Sequence, residues 1–189
     1  MAAIRTFVAI PLTEEVRRGI GNAVEALRPW ARGIRWVPLE NLHLTLRFLG
    51  GVEEERLLEV HQAVAAAVEE IAPFALRTGG FGAFPERGRP RVLWVALEGD
   101  LENLRKLQGR VETELVQRGF PGEDRPFSPH LTVGRATRNQ SVAVELPMIA
   151  QPGPEMVVRE AVVMKSDLHP EGPVYTILFE SALKGQEAR

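Results

Sequence analysis

The chain of 189 residues predicts an α+β fold in which two antiparallel or mixed sheets, flanked by helices, face one another across a central groove. Three observations lead there. Three helical stripes lie among seven or eight strand-like segments. The helices fall between strand pairs, whereas a doubly wound parallel sheet would place one after every strand. The tripeptide His-Leu-Thr occurs twice, as His43-Leu44-Thr45 and His130-Leu131-Thr132, each time in a strand-like segment. With 4 histidines and 8 threonines in 189 residues, two accidental His-x-Thr spacings have a chance on the order of one in a hundred. One copy on each sheet would bring the two motifs together across the groove.

The elements follow in order. Apolar and β-favouring residues from Ile4 to Ile10 make a strand that Pro11 ends. Thr13 then caps a helix, Glu14 and Glu15 suit its positive end, and Val16, Ile20, Val24 and Leu27 form its apolar stripe. Ile34 to Val37 is a brief strand before Pro38. In the next, Leu42, Leu44, Leu46 and Phe48 alternate with His43, Thr45, Arg47 and Leu49, the period of a strand with one buried face, and Gly50-Gly51 is expected to stop it. A second helix runs from about Glu53 to Ala72, with Leu57, Val60, Val64, Val68 and Ile71 inward and Pro73 closing it. A strand from Phe74 to about Arg77 enters the glycine-rich Gly79-Gly80-Phe81-Gly82, read as a bend in the sheet because a P-loop would need a Lys-Ser/Thr ending. After a loop from Pro85 to Pro90, Arg91 to Leu97 is a strand. Leu101, Leu104, Leu107, Val111 and Leu115 mark a third helix ending near Arg118. The loop Pro121 to Pro129 delivers the second motif strand, His130 to Ala136. Val157 to Ser166 and Val174 to Leu183 are strands flanking a turn-rich Asp167 to Pro173.

Composition narrows the chemistry. No cysteine is present, which removes thiol nucleophiles, disulfides and zinc ribbons and fits a reducing interior. The apolar run in MAAIRTFVAIPLTEE is too short for a signal peptide or a membrane span, so a cytoplasmic protein with no membrane contact is expected. The net charge of −2 offers no global attraction for a polyanion, although a near-neutral total is compatible with a local basic cleft. Arginine outnumbers lysine 20 to 3. That bias is better explained by codon usage or a thermophilic source than by function.

On a strand, residues two apart share a face, so His43 and Thr45 project together while Leu44 and Leu46 anchor the core side, and His130 and Thr132 do the same against Leu131 and Val133. Imidazole titrates near neutrality. One of two histidines can therefore serve as neutral base while the other remains an acid. Displacement at phosphorus asks for that pair: water loses a proton on one side and a leaving alkoxide gains one on the other. Threonine hydroxyls can hydrogen-bond the non-bridging oxygens, and Arg47 and Arg135 can add charge-assisted contacts. By alternation Arg47 continues the His43 and Thr45 face, whereas Arg135 points to the opposite face unless the strand bulges. His61 reads as a solvated helix flank and His169 as a turn residue. No His-Glu-x-x-His and no close histidine pair is present, so a mechanism without metal or other cofactor is expected.

The segments His43-Leu44-Thr45-Leu46-Arg47-Phe48-Leu49-Gly50, Ser128-Pro129-His130-Leu131-Thr132-Val133-Gly134-Arg135 and Arg5-Thr6-Phe7-Val8-Ala9-Ile10 resemble the 2H phosphoesterases, in particular the bacterial and archaeal RNA 2′,3′-cyclic phosphodiesterases historically called 2′,5′ RNA ligases. The likeness extends to Ser166, Leu168, Gly172-Pro173 and Tyr175. It implies a single bilobed domain over residues 1–189, with pseudo-symmetric sheets and the active site between the lobes. It also implies His43 as proton donor, His130 as proton acceptor, and Thr45 and Thr132 holding the phosphate. The expected activity is hydrolysis of a terminal 2′,3′-cyclic phosphate on RNA to a 2′-phosphate, with ATP-independent 2′,5′ joining of tRNA halves as its reverse. Phe7, Phe48 or Phe84 could stack on a base, core packing being favoured for Phe7 and Phe48. A small cyclic nucleotide or ADP-ribose cyclic phosphate as substrate, and a non-catalytic RNA-binding module, are the alternatives. The oligomeric state stays open, with a monomer favoured.

Overall fold

Alternating burial along the first strand sets the layering. In β1 (Ala3–Pro11), Val8 and Ile10 enter the main core, while Phe7 and Ala9 enter a small second cluster on the other side. A strand with both sides covered reads as a continuous apolar run, which is why this segment shows no period of two. The computed structural model describes residues 3–86, 89–137 and 153–186. Arg87 and Gly88, in the predicted loop Pro85 to Pro90, lie outside the described residues.

The described elements continue as α1 (Glu14–Leu27), β2 (Ile34–Trp36), β3 (His43–Glu53), α2 (Leu57–Val68), β4 (Phe74–Phe84), β5 (Val92–Gly99), α3 (Leu101–Gln117), β6 (His130–Ala136), β7 (Glu155–Val158), β8 (Glu160–His169) and β9 (Gly172–Ala182). Thr13 caps α1 by accepting from Val16 N–H at 3.3 Å, and Asp100 caps α3 by accepting from Asn103 N–H at 3.0 Å. The predicted stripes of α1 and α3 are buried, apart from Leu101 in the first turn of α3, which is half-buried. Among the described residues no helix is long and apolar enough to cross a membrane.

The strands form two sheets, ordered β3-β1-β8-β9 and β2-β6-β5-β4-β7, with antiparallel pairing throughout. The predicted α+β class with two facing sheets is therefore observed, and each His-Leu-Thr copy lies on a different sheet. Helices α2 and α3 pack on each other, α2 reaching β8 and β9 and α3 reaching β3 and β4. Asn41, just before β3, donates from Nδ2 to the Pro173 carbonyl in β9 at 2.9 Å, so the two edges of the first sheet meet and the sheet curls over its second cluster.

Several boundaries differ from expectation, among them the predicted turn Asp167 to Pro173, most of which is taken up by β8 and β9. Gly50-Gly51 does not stop β3, which pairs with β1 as far as Ala3 opposite Glu53. Instead Leu49 bulges out of register and Gly50 takes φ +72°, a conformation open to a residue without a Cβ. The second helix is shorter than expected, a 3₁₀ turn at Glu54–Arg56 preceding it and a turn at Glu69–Glu70 following it. The predicted strand Val157 to Ser166 is two strands broken at Arg159: β7 pairs with β4 in one sheet and β8 with β1 in the other. The chain changes sheet there, and an unbroken apolar pattern cannot announce a change of partner. The strand expected to end near Arg77 runs through the glycine-rich segment to Phe84, with Gly79 and Gly80 bulged inside β4.

Candidate active site

Each motif histidine is held in the same way. His43 Nδ1 lies 2.8 Å from the carbonyl oxygen of Asn41, and His130 Nδ1 lies 2.7 Å from that of Ser128, two residues before it in both cases. A carbonyl only accepts, so Nδ1 carries the hydrogen and Nε2 remains as the nitrogen that exchanges a proton. Aromatic rings wall each imidazole. Phe7 sits 4.8 Å from the His43 ring and Tyr175 meets it edge-on at 5.2 Å. Phe84 meets His130 edge-on at 5.2 Å and Trp94 lies 6.4 Å away. Gly82 permits this packing, because a Cβ there would collide with the Trp94 ring.

Thr45 pairs with Ala9, whose side chain belongs to the second cluster, so the Thr45 hydroxyl lies on the concave side with His43. Thr132 pairs with Trp94 and shares its face with His130. Both strands then bulge one residue later. In β3, Ala9 pairs with Thr45 and Val8 with Arg47, leaving Leu46 extra. In β6, Trp94 pairs with Thr132 and Leu93 with Gly134, leaving Val133 extra. Each bulge reverses the alternation beyond it.

The reversal corrects the expectation for Arg47. It turns away from His43 and is 7% exposed, ion-paired to Glu112 at 2.6 Å and Glu123 at 3.4 Å, and it donates to the carbonyls of Phe48 and Pro121. Arg47 ties β3 to α3 and to the loop leading into the second motif, and it has no place among groups that could touch substrate. Arg135, exposed, is swung toward the groove by the matching bulge, and its charge acts on both His43 and Tyr175 of the other sheet. Phe48 stands at the position equivalent to Arg135. It is 42% exposed opposite Phe7, so the expected core role for Phe48 is not found, while Phe7 is buried.

The groove is electropositive on its His43 side. Burial lowers the pKa of His43 below its ordinary value, its bond to the Asn41 carbonyl opposes this, and the charges of Arg135 and Arg17 lower it further. Burial raises the Tyr175 hydroxyl above its usual range, against the lowering effects of Arg135 and Arg5. Among the described residues none of Arg5, Arg17 and Arg135 has a carboxylate partner, and the Arg17 Nε is buried without a hydrogen bond. Sequence periodicity had no means of finding Arg17 or Arg5: the one flanks a helix stripe and the other precedes an apolar run. No group of three or more His, Asp or Glu side chains suited to a metal occurs among the described residues. His61, expected to be solvated, is half-buried and stacks on Phe179 at 4.5 Å, and His169 is exposed at the end of β8. A separate cavity of about 440 Å³ beside α1 is lined by Arg18, Gly21, Asn22 and Leu39 among others and contains neither motif histidine.

The sequence and the fold are similar to those of known proteins. Residues 16–170 match the model of the 2'-5' RNA ligase superfamily. The chain is 38% identical to the RNA 2',3'-cyclic phosphodiesterase of Thermus thermophilus, over 98% of this chain and 93% of that protein. It is 35% identical to the protein of the same name from Thermotoga maritima, over 96% and 97%. Among solved structures, TT0787 of Thermus thermophilus superposes with a TM-score of 0.81 at 35% identity, covering 97% of this chain and 100% of the other. E. coli LigT complexed with 3'-AMP superposes with a TM-score of 0.77 at 26% identity, covering 96% and 98%.

Proposed function

The chain belongs to the 2'-5' RNA ligase superfamily, and from that premise we propose that it is an RNA 2′,3′-cyclic phosphodiesterase that opens a terminal cyclic phosphate to a 2′-phosphate. The observation that carries this reading is the matched pair of histidines, each with Nδ1 engaged by a backbone carbonyl and a threonine two residues on, with Arg135 of one motif strand acting on the histidine of the other. In the proposed reaction His130 Nε2 takes a proton from water as the water oxygen bonds to phosphorus. The bond from phosphorus to the 3′ oxygen breaks in line, and His43 Nε2 gives that oxygen its proton. His130 ends protonated and His43 neutral, and exchange with solvent restores the starting state. Thr45, Thr132 and Arg135 stabilise the non-bridging oxygens as charge builds. The arginines supply positive charge that a metal would otherwise provide, which supports chemistry without a cofactor.

The partner of this groove is RNA ending in a 2′,3′-cyclic phosphate. Joining of tRNA halves through a 2′,5′ bond would follow the same path with a 5′-hydroxyl in place of water: the 5′ oxygen bonds to phosphorus as the bond to the 3′ oxygen breaks, and no ATP is needed because the strained ring supplies the driving force. A cytoplasmic location and action as a monomer complete the reading. The decisive assay gives the purified protein an RNA with a cyclic phosphate end, in EDTA and without ATP, and identifies the product by phosphorus NMR against authentic 2′ and 3′ monophosphates. A 2′-phosphate is expected. A 3′-phosphate would exchange the histidine roles, dependence on a divalent ion would end the metal-free mechanism, and absence of turnover would leave an RNA-binding module. Exclusive turnover of ADP-ribose cyclic phosphate or another small cyclic phosphate would replace RNA as the substrate.

A further inference from the structure

We propose that Arg5 and Phe48 form a second subsite, which binds the nucleotide on the 5′ side of the one carrying the cyclic phosphate, so that the groove favours an RNA strand over a lone cyclic nucleotide. This rests on the hydrolase reading above. A cyclic phosphate ends its strand, so the only neighbouring phosphodiester is the one on the 5′ oxygen of the terminal nucleotide. A second subsite must therefore offer a contact for an anion and a surface for one more base.

Both are present beside His43. The guanidinium carbon of Arg5 lies 4.5 Å from the centroid of the Phe48 ring, and the described residues give Arg5 no carboxylate partner. Phe48 is 42% exposed. It pairs directly with Phe7, about 5 Å away across the strands, and the Phe7 ring touches the His43 ring. The subsite is thus one side chain removed from the His43 ring. Arg5 also acts on the Tyr175 hydroxyl, together with Arg135 from the other sheet. An aromatic ring and a guanidinium plane bind bases by stacking without selecting among them, and a free guanidinium takes a phosphate in its fork. The bulge at Leu46 is what puts Phe48 on this side. Without it the large ring would lie in the core and Arg47 would stand in its place on the concave surface.

The test compares kcat/KM for cytidine 2′,3′-cyclic phosphate with that for a dinucleotide ending in the same cyclic cytidine, in the wild type and in Arg5→Gln and Phe48→Leu. The wild type is expected to favour the dinucleotide by about fivefold or more, the low end of one stacked base, and the ratio should fall toward one in both variants. Arg5→Gln should also reduce the dinucleotide's salt dependence by a slope of about 0.7, the share of one phosphate on a single strand. A wild-type ratio near one, or a ratio that both variants leave unchanged, overturns the subsite. Turnover of neither substrate would overturn the hydrolase reading, and this inference with it.

Discussion

At the scale of single residues, the two histidines are alike in what holds them and unlike in what surrounds them. His43 is the more deeply set, and burial before all else lowers its pKa. The folded chain therefore binds the His43 proton less readily than the unfolded chain. Its contribution to stability is complete above the unfolded value of about 6.5 and is lost as pH falls through the lower folded value. His43→Gln should flatten that part of the curve of unfolding free energy against pH, and an unchanged slope would remove the assigned environment. Inorganic phosphate in the groove should raise the His43 titration seen by NMR, since an anion favours the imidazolium and prepares the acid that the reaction needs. A titration that phosphate leaves unmoved would separate His43 from the phosphate site. His43→Ala and His130→Ala should each lower the hydrolysis rate by about 10² to 10⁴, as expected for a positioned acid or base. The double variant should be little worse than either, as expected of two groups that act in one transition state. Additive losses in the rate constant of single-turnover reactions would mean two separate roles.

At the scale of elements, one extra residue in each motif strand decides which side chains face the groove. Exchanging Arg47 and Arg135 for methionine separates the two outcomes. Arg47→Met leaves the half-buried Glu112 and Glu123 without their buried cation and should cost about 3 kcal/mol of stability, the low end for a buried pair that loses one partner, read by urea unfolding, with KM little changed. Arg135→Met should leave the urea midpoint near wild type and lower kcat/KM by about 10². The reverse pattern would undo the assignment of both bulges. The strands themselves, the helix stripes and the shared face of each His-x-Thr pair were legible in the chain, because periods of two and of three to four are local properties. A bulge is not local. Leu46 and Val133 are ordinary apolar residues that become extra only against the register of β1 and β5, so alternation misplaces every side chain after them. The same limit hid the break at Arg159, where neighbouring apolar residues pair with different sheets.

At the scale of the whole molecule, a net charge of −2 coexists with three arginines around His43 and Tyr175 that no carboxylate neutralises among the described residues. Rising ionic strength should therefore slow turnover of RNA at low substrate concentration, even though the protein carries the same sign of charge as its substrate. Salt-independent kcat/KM would show that these charges do not reach the strand. The sheets are also laced together. β1 and β3 lie in one and β2 between them in the other, and the chain crosses again at Arg159. Cutting at the exposed Glu54–Glu55 would yield a leading piece with His43 and a trailing piece with His130, each holding only part of both sheets. Such halves would be silent apart and would regain catalysis on meeting, making the protein a natural candidate for a split reporter whose signal is the opening of a 2′,3′-cyclic phosphate.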